Sequence, residues 1–247
     1  MSDREREQRL RERLKLPLPV MLRCREGAGA DWSEQTRLRD LTPFGAGFSL
    51  TRPVEPGRLV HLTLPMPRQL RCFDHAEEQY RLYALVRWIR FLKEREGGKL
   101  FDVGVAFTGK QPPASYLDDP TTRYEAAALP GAEEFWRARE QRFAVAAGRP
   151  VRRESRLTMP VEVIVELLDG REGVAASEQT VTENISRRGA SVFTTLVAER
   201  GRFVRLRSAR YSLAVLAVVR AWRRGADNIS RLHMEFVDRE WPLDIVE

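Results

Sequence analysis

The 247-residue chain has only two cysteines, Cys24 and Cys72, and three histidines, His61, His75 and His233. So few, and so scattered, they exclude a zinc cluster and a disulfide framework. Long apolar runs are also missing. The longest, residues 213–219, is seven residues, whereas a membrane-spanning helix takes about 20. The first residues, Met1-Ser2-Asp3-Arg4-Glu5-Arg6-Glu7, lack the apolar stretch of a secretory signal. Gly-x-Ser-x-Gly, a phosphate-binding glycine loop and a metal-ligand cluster are all absent, which argues against an enzyme. These absences describe a cytoplasmic protein with no metal, no cofactor and no membrane span. Lysine is scarce too: four (Lys15, Lys93, Lys99, Lys110) of 42 basic residues, leaving 38 arginines.

What is present is a chain rich enough in apolar residues, 43%, to bury a core. Its length suits one large domain or two small ones. The arginine excess has two readings, a GC-rich genome or a need for the planar fork that bonds phosphates and guanine edges twice. The net charge of +7 is unevenly distributed: residues 1–110 carry 21 basic and 15 acidic side chains, 111–148 carry 4 and 6, and 149–247 carry 17 and 14. The middle segment also holds Pro112-Pro113, Asp118-Asp119-Pro120 and Leu129-Pro130-Gly131, which are breaker signals. Residues 132–148 contain good helix formers and end at Gly148. The expected organisation is therefore an N-terminal domain at 1–110, a linker and connecting helix at 111–148, and a C-terminal domain at 149–247.

Both flanking segments read as β structure. Val161, Val163, Val165 and Leu167 recur with period 2. Further strands are expected at 177–185, 190–194, 203–207, 212–222 and 231–237, with Asp169-Gly170, Arg188-Gly189, Gly201 and Gly225-Ala226-Asp227-Asn228 as turns. The first segment gives a matching series at 20–26, 35–41, 46–50, 58–64, 80–92 and 100–107. The two series are copies. Arg13-Leu14, Pro17 and Val20 match Arg156-Leu157, Pro160 and Val163 without a gap, and Arg9 and Arg152 each stand four residues earlier. Asp40-Leu41-Thr42 with Gly45-Ala46 matches Asn184-Ile185-Ser186 with Gly189-Ala190. Tyr83–Arg87 matches Leu216–Arg220, and Gly104–Phe107 matches His233–Phe236. This is a duplication of a unit of about 100 residues, longer in the first copy at 67–79.

Each copy thus carries Arg-x-x-x-Arg and, a strand later, Asp/Asn-x-Ser/Thr-x-x-Gly. Two arginine forks suit phosphate oxygens and the O6/N7 edge of guanine. Asp40 or Asn184 accepts from guanine N1–H or N2–H₂, and Thr42 or Ser186 adds a hydroxyl. Gly45 or Gly189 permits a tight turn, a positive φ or close approach of a ligand. Such a set recognises a ligand with both phosphate and guanine.

This paired signature resembles the PilZ domain, a bacterial receptor module for cyclic di-GMP. The second copy matches in full with Arg152, Arg156, Asn184, Ser186 and Gly189. The first matches with Arg9, Arg13, Asp40, Thr42 and Gly45, Thr replacing Ser. The resemblance implies a mainly β fold, two six-stranded antiparallel barrels joined by the linker and helix, with cyclic di-GMP held by the arginine loop against each barrel. Because the second arginine loop follows the connecting helix directly at Gly148-Arg149-Pro150, the expected function is an effector that alters its interdomain arrangement or its contact with a protein partner on ligand binding. The residue before the first arginine, Gln8 or Val151, is not itself arginine, which leans towards fewer ligands per site.

The copies differ at the turn, where Pro43 and Phe44 replace Arg187 and Arg188, and Pro43 brings no donor N–H. Residues 2–14 also read as a charged helix as readily as a loop. The first copy is accordingly the divergent site. Two other functions stay open: a ligand-independent adaptor that binds protein through its barrels, and a nucleic-acid-binding barrel suggested by the basic charge. No aromatic-rich strand for stacking bases is present, which disfavours nucleic acid. Trp88, Phe107, Trp222 and Phe236 are expected in the cores, the Phe135/Trp136 pair against a barrel, and both cysteines as buried thiols. Oligomeric state is not readable from spacing.

Overall fold

Period-2 alternation carries directly into three dimensions. In the strand Glu162–Asp169, Val163, Val165 and Leu167 are buried while Glu162 is exposed, although Glu166 and Leu168 further along are buried as well. The computed structural model describes residues 13–27, 31–95, 98–127, 135–141, 145–146, 149–150, 156–169 and 173–243. Arg9 and Arg152, with Gln8 and Val151, lie outside them. The chain divides into two compact units, each built on one six-stranded antiparallel barrel.

In the first, β1 (Pro19–Cys24), β2 (Trp32–Thr42), β3 (Gly45–Leu50), β4 (Leu59–Leu64), β5 (Tyr80–Arg95) and β6 (Gly98–Gly109) close in the order β1-β2-β3-β6-β5-β4. After a short helix, α1 (Ala114–Asp118), come β7 (Tyr124–Ala127), β8 (Arg137–Glu140), β9 (Val145–Ala146) and β10 (Arg149–Pro150). The second barrel comprises β11 (Glu162–Asp169), β12 (Gly173–Ser186), β13 (Gly189–Phe193), β14 (Phe203–Ser208), β15 (Leu213–Arg224) and β16 (Ser230–Phe236), closed as β11-β12-β13-β16-β15-β14. Each of the twelve expected runs overlaps a strand, and the two orders are identical. Closure removes the exposed edges that a flat six-stranded sheet would offer. Inward residues fill each barrel: Leu22, Leu41, Phe48, Leu62 and Phe107 in the first, and Val165, Ile185, Val192, Leu206, Val219 and Met234 in the second. Trp241 plugs the second core, fully buried, with Phe236 and Tyr211 ring centroids at 5.9 and 5.8 Å.

The connecting helix expected at 132–148 is not what the described residues form. Arg137–Glu140 is a strand, β8, paired antiparallel with β7, Tyr124 opposite Glu140 and Ala126 opposite Ala138. Composition favours helix there, but tertiary contacts decide. Ala126 and Ala138 pack on a cluster of Leu59, Leu85, Tyr116 and Tyr124, and Tyr124 N donates to Gly57 O at 2.7 Å. Helix propensities differ by only about 0.7 kcal/mol per residue among ordinary residues, and burial of such a face outweighs that. Residues 114–127 and 135–141 are thus part of the first unit rather than a free linker.

Three smaller expectations also change. Cys24 is buried, and burial pushes its thiol up to about 12, but Cys72 is exposed. Phe107 and Phe236 are core residues. Trp222 is not: it sits on the surface with its indole N–H donating to Leu196 O at 3.0 Å. Trp88 is half-buried on the outer face of the first barrel. Phe135 packs edge-on to Phe73, in the segment between β4 and β5, at 5.5 Å.

The long segment between β4 and β5 is folded around one buried cation. Arg71 is 7% exposed. Its Nε donates to Met66 O at 2.8 Å, Nη1 to Asp74 O at 2.9 Å and Glu77 O at 2.6 Å, and Nη2 to Glu78 O at 3.1 Å. The Tyr80 ring lies 5.4 Å from the guanidinium. A charged donor that satisfies four carbonyls is costly to remove, because the carbonyls lose their partner. Arg71→Ala is expected to destabilise the first unit by roughly 3 kcal/mol, read as a lowered midpoint in urea denaturation with the second unit unaffected.

Candidate functional site

In the second barrel, the segment that leads into β11 is fastened to β12 before β11 begins. Leu157 N donates to Ile185 O at 2.8 Å and Ile185 N to Leu157 O at 2.9 Å. That isolated bridge sets Arg156 beside Asn184, and Arg156 Nη1 donates to Asn184 Oδ1 at 2.8 Å across 28 residues of sequence. The first barrel repeats it. Leu14 and Leu41 exchange two backbone hydrogen bonds of 2.9 Å, and Arg13 Nη1 lies 3.6 Å from Asp40 Oδ1. At that distance, with Arg13 55% exposed, the first pair contributes at most about 1 kcal/mol. The second is the better-formed contact.

A β-bulge precedes the motif residue in both barrels. The β12–β13 register shifts between Thr182 and Asn184, and the β2–β3 register between Leu38 and Asp40. The extra residues are Glu183 and Arg39. A bulge puts two consecutive side chains on one face, so Glu183 joins Asn184, and Arg39 joins Asp40, on the outer surface.

These extra residues carry an ion pair of opposite polarity in the two copies. Glu183 Oε1 accepts from Arg231 Nε on β16 at 2.7 Å, and Glu183 Oε2 accepts from Ser191 Oγ at 2.9 Å. In the first barrel Arg39 pairs with the buried Asp102 on β6 and with Asp40 at 2.9 Å. Counting back five residues from Phe236 and Phe107 gives Arg231 and Asp102, so both ends of the pair have exchanged sign. This network was missed in the sequence. The signal was there, as a charge reversal at aligned positions 39/183 and 102/231, but nothing in one strand says that it faces another two strands away. The Arg231 hydrogen bond holds the Glu183 carboxyl below its ordinary 4.5, against a smaller upward push from desolvation.

The remaining motif residues close the turn. Ser186 Oγ donates to Gly189 O at 3.2 Å and Thr42 Oγ1 to Gly45 O at 3.3 Å. Thr for Ser therefore preserves the bond, and Pro43 does not break the turn, because Phe44 N finds Thr42 Oγ1 at 3.2 Å and Phe44 O still receives Phe107 N at 2.8 Å. Arg188 O receives Phe236 N in the same way, at 2.8 Å. The glycines are required for a reason other than a positive φ. A Cβ on Gly189 would lie 2.5 Å from Met234 O, and one on Gly45 would lie 2.5 Å from Val105 O. It is the approach of the neighbouring strand, β16 or β6, that excludes a side chain.

The structure thus brings together Arg156, Asn184, Ser186 and Gly189 in one place, and Arg13, Asp40, Thr42 and Gly45 in another. Among the described residues no group of three His, Cys, Asp or Glu is arranged to hold a metal ion, and no helix is long and apolar enough to cross a membrane.

A family model described as PilZ domain matches residues 4–117. The match falls on the first copy, whose motif has Thr42. No curated protein matches. Among solved structures, the inhibitor of motility MotI/DgrA of Bacillus subtilis is 12% identical, with 92% of this chain and 90% of that chain covered and a TM-score of 0.30. PlzA of Borreliella burgdorferi, solved in complex with c-di-GMP, is 10% identical over 98% and 94%, with a TM-score of 0.29. YcgR of Escherichia coli, also solved with c-di-GMP, is 10% identical over 90% and 76%, with a TM-score of 0.28.

Two outcomes follow from this geometry. Gly189→Ala and Gly45→Ala each force a strand apart and are expected to lower stability by about 1–3 kcal/mol, measured by urea unfolding. Glu183→Gln is expected to destabilise the second barrel at neutral pH. Because the folded-state pKa is depressed, the charged Glu183 stabilises the fold above its ordinary 4.5, and that contribution is lost as pH falls through the lower folded value. The difference between unaltered protein and variant should therefore close on acidification, and a difference independent of pH would contradict the assignment.

Proposed function

We propose that this chain, which belongs to the PilZ domain family through residues 4–117, is a cyclic di-GMP-binding effector whose principal site is on the second barrel. One observation carries the reading: Arg156 meets Asn184 at 2.8 Å beside the Ser186–Gly189 turn. A guanidinium able to bond phosphate is thereby set beside an amide on β12 that is able to bond a guanine edge. Arg152, four residues before Arg156, is assigned the second phosphate contact. Phosphate oxygens offer Arg156 a charged acceptor in place of a neutral amide oxygen, an exchange that strengthens its hydrogen bond.

The protein works by binding rather than by chemistry. Ligand capture draws Arg152 and Arg156 onto the nucleotide, and that contact alters the interdomain arrangement or the contact with a protein partner. The site of action is the cytoplasm, where the nucleotide is made available.

Titration calorimetry on the full chain tests the reading. Micromolar affinity for cyclic di-GMP is expected, and Arg156→Ala should weaken it roughly 10- to 100-fold, the loss of one or more charge-assisted hydrogen bonds. Undetectable heat with the unaltered protein, or unchanged affinity in the variant, would remove the proposal. A solution scattering profile that does not change on ligand addition would remove its conformational part alone.

A further inference from the structure

The face of the first barrel made by β1, β4 and β5 lies away from the motif. In the closed order, β4 is three strands from β3 in either direction. Arg23 on β1 is paired with His61 on β4, and His61 with Tyr83 on β5. The next row is Met21, Thr63 and Arg81. Leu22, Leu62 and Leu82 between the rows are fully buried, so both rows point outward. Arg23 and Arg81 are exposed, and His61 is half-buried. Burial, and then the charges of Arg23 and Arg81, hold the His61 imidazole below its ordinary 6.5. The ring is therefore uncharged at neutral pH. Tyr83 is edge-on to it at 5.2 Å, and Tyr116 is edge-on to Tyr83 at 5.6 Å. Beyond Tyr116 stands Arg25, 5.9 Å from that ring and paired with Asp31 at 3.6 Å. Among the described residues, neither Arg23 nor Arg81 makes an ion pair with a carboxylate, and no acid bears on His61.

The second barrel carries the same positions with the charge already answered. Its pairings align Glu166 with Arg23, Arg205 with His61, Arg207 with Thr63 and Leu216 with Tyr83. Glu166 and Arg205 are nearly buried. The Glu166 carboxylate accepts from Arg205 Nε and, at 3.1 Å, from Arg207 Nη1. Burial alone would raise its carboxyl, but the hydrogen bonds of Arg205 and Arg207 hold it below the ordinary 4.5. The first barrel keeps the basic groups and lacks the acid, because an arginine stands where Glu166 does. The outermost cation also changes strand, from Arg207 opposite Ala214 to Arg81 opposite Thr63.

We infer that Arg23, His61 and Arg81 form an interaction surface for an acidic segment of a protein partner, whose carboxylate takes the place that Glu166 takes in the second barrel. The surface is separate from the nucleotide site and does not depend on it. Two guanidiniums on the strands either side of β4 stand about 10 Å apart at strand spacing. Both can reach a carboxylate seated over His61, each through a charge-assisted hydrogen bond. An anion there also favours the imidazolium form of His61, so acid strengthens the contact. A carboxylate fits better than a nucleic acid strand. The nearby rings are turned to one another, and the Tyr116 face is covered by Arg25, whereas single strands stack their bases on open aromatic faces.

Fluorescence anisotropy of a labelled glutamate homopeptide with the full chain tests this, at low ionic strength where surface charges are least screened. Arg23→Glu with Arg81→Glu should weaken binding about tenfold or more, since like charges now face each other. Arg200→Glu with Arg202→Glu makes the same change in net charge at exposed residues of the second barrel and should alter binding less than about twofold. Equal losses in the two variants would mean a response to net charge alone and would overturn the surface. Affinity of the unaltered protein should rise between about pH 7.5 and about pH 5.5, where glutamate stays ionised. His61→Gln should flatten that rise, and an undiminished rise would overturn the role of His61. Arg23→Glu alone rebuilds the Glu166 arrangement within the chain and should raise the His61 pKa, read by NMR titration; an unchanged value would overturn the geometry. A single-stranded oligonucleotide bound more tightly than the peptide, and lost in the Arg23→Glu, Arg81→Glu variant, would overturn the assignment to an acidic protein. Undetectable peptide binding by the unaltered protein would overturn the inference and leave the nucleotide reading standing.

Discussion

Two backbone hydrogen bonds, between Leu157 and Ile185, organise the candidate site. Each contributes about 1 kcal/mol net, so their importance is geometric rather than energetic. They fix the residue that follows Arg156, and so decide where that guanidinium can reach. Leu14 and Leu41 do the same for Arg13. An arginine loosely attached to a barrel would be a solvated cation. An arginine fixed next to the bulge before Asn184 has a defined partner.

The bulge is the second constraint, because it converts a strand into a site. Regular alternation would send residue 183 inward when 184 faces outward. The register shift after Thr182 instead presents Glu183 and Asn184 together. One then anchors the surface through Arg231 and Ser191, and the other is left to meet Arg156. The first barrel keeps the same bulge and inverts the charges, with Arg39 between Asp40 and Asp102. Two copies of one backbone have thus diverged by exchanging the signs of an ion pair. The exchange does not disturb the strand order, which is the same in both barrels.

Some of the molecule was plain in the sequence, and the reasons are specific. Val163, Val165 and Leu167 showed their strand because a barrel has one dry face and one wet face. Arg156, Asn184, Ser186 and Gly189 stood out because the first copy holds Arg13, Asp40, Thr42 and Gly45 in the same register. Residues 137–140 were misread as helix because local composition outvoted a pairing with 124–127 that depends on where Tyr116 and Tyr124 are buried. The purpose of Gly189 was also hidden: the obstruction is Met234 O, an atom 45 residues away in the chain.

The sequence by itself determined the number of barrels, the strands of each and the motif, because periodicity and internal repetition are properties of one dimension. Its scarcity of cysteine and histidine likewise set aside disulfide and zinc frameworks without any coordinates. What only the tertiary structure decided is which groups meet. Arg231 reaches Glu183 across β13, Trp88 covers Gly104, and Arg71 gathers the carbonyls of its own loop. Those pairings are fixed by strand register and by the bulges that shift it, and a shift of one residue turns every side chain of a strand to the other face. Thirty-eight arginines look alike in the sequence; the fold sets Arg156 against Asn184, Arg39 against Asp102 and Trp88, and Arg71 among the carbonyls of its own loop.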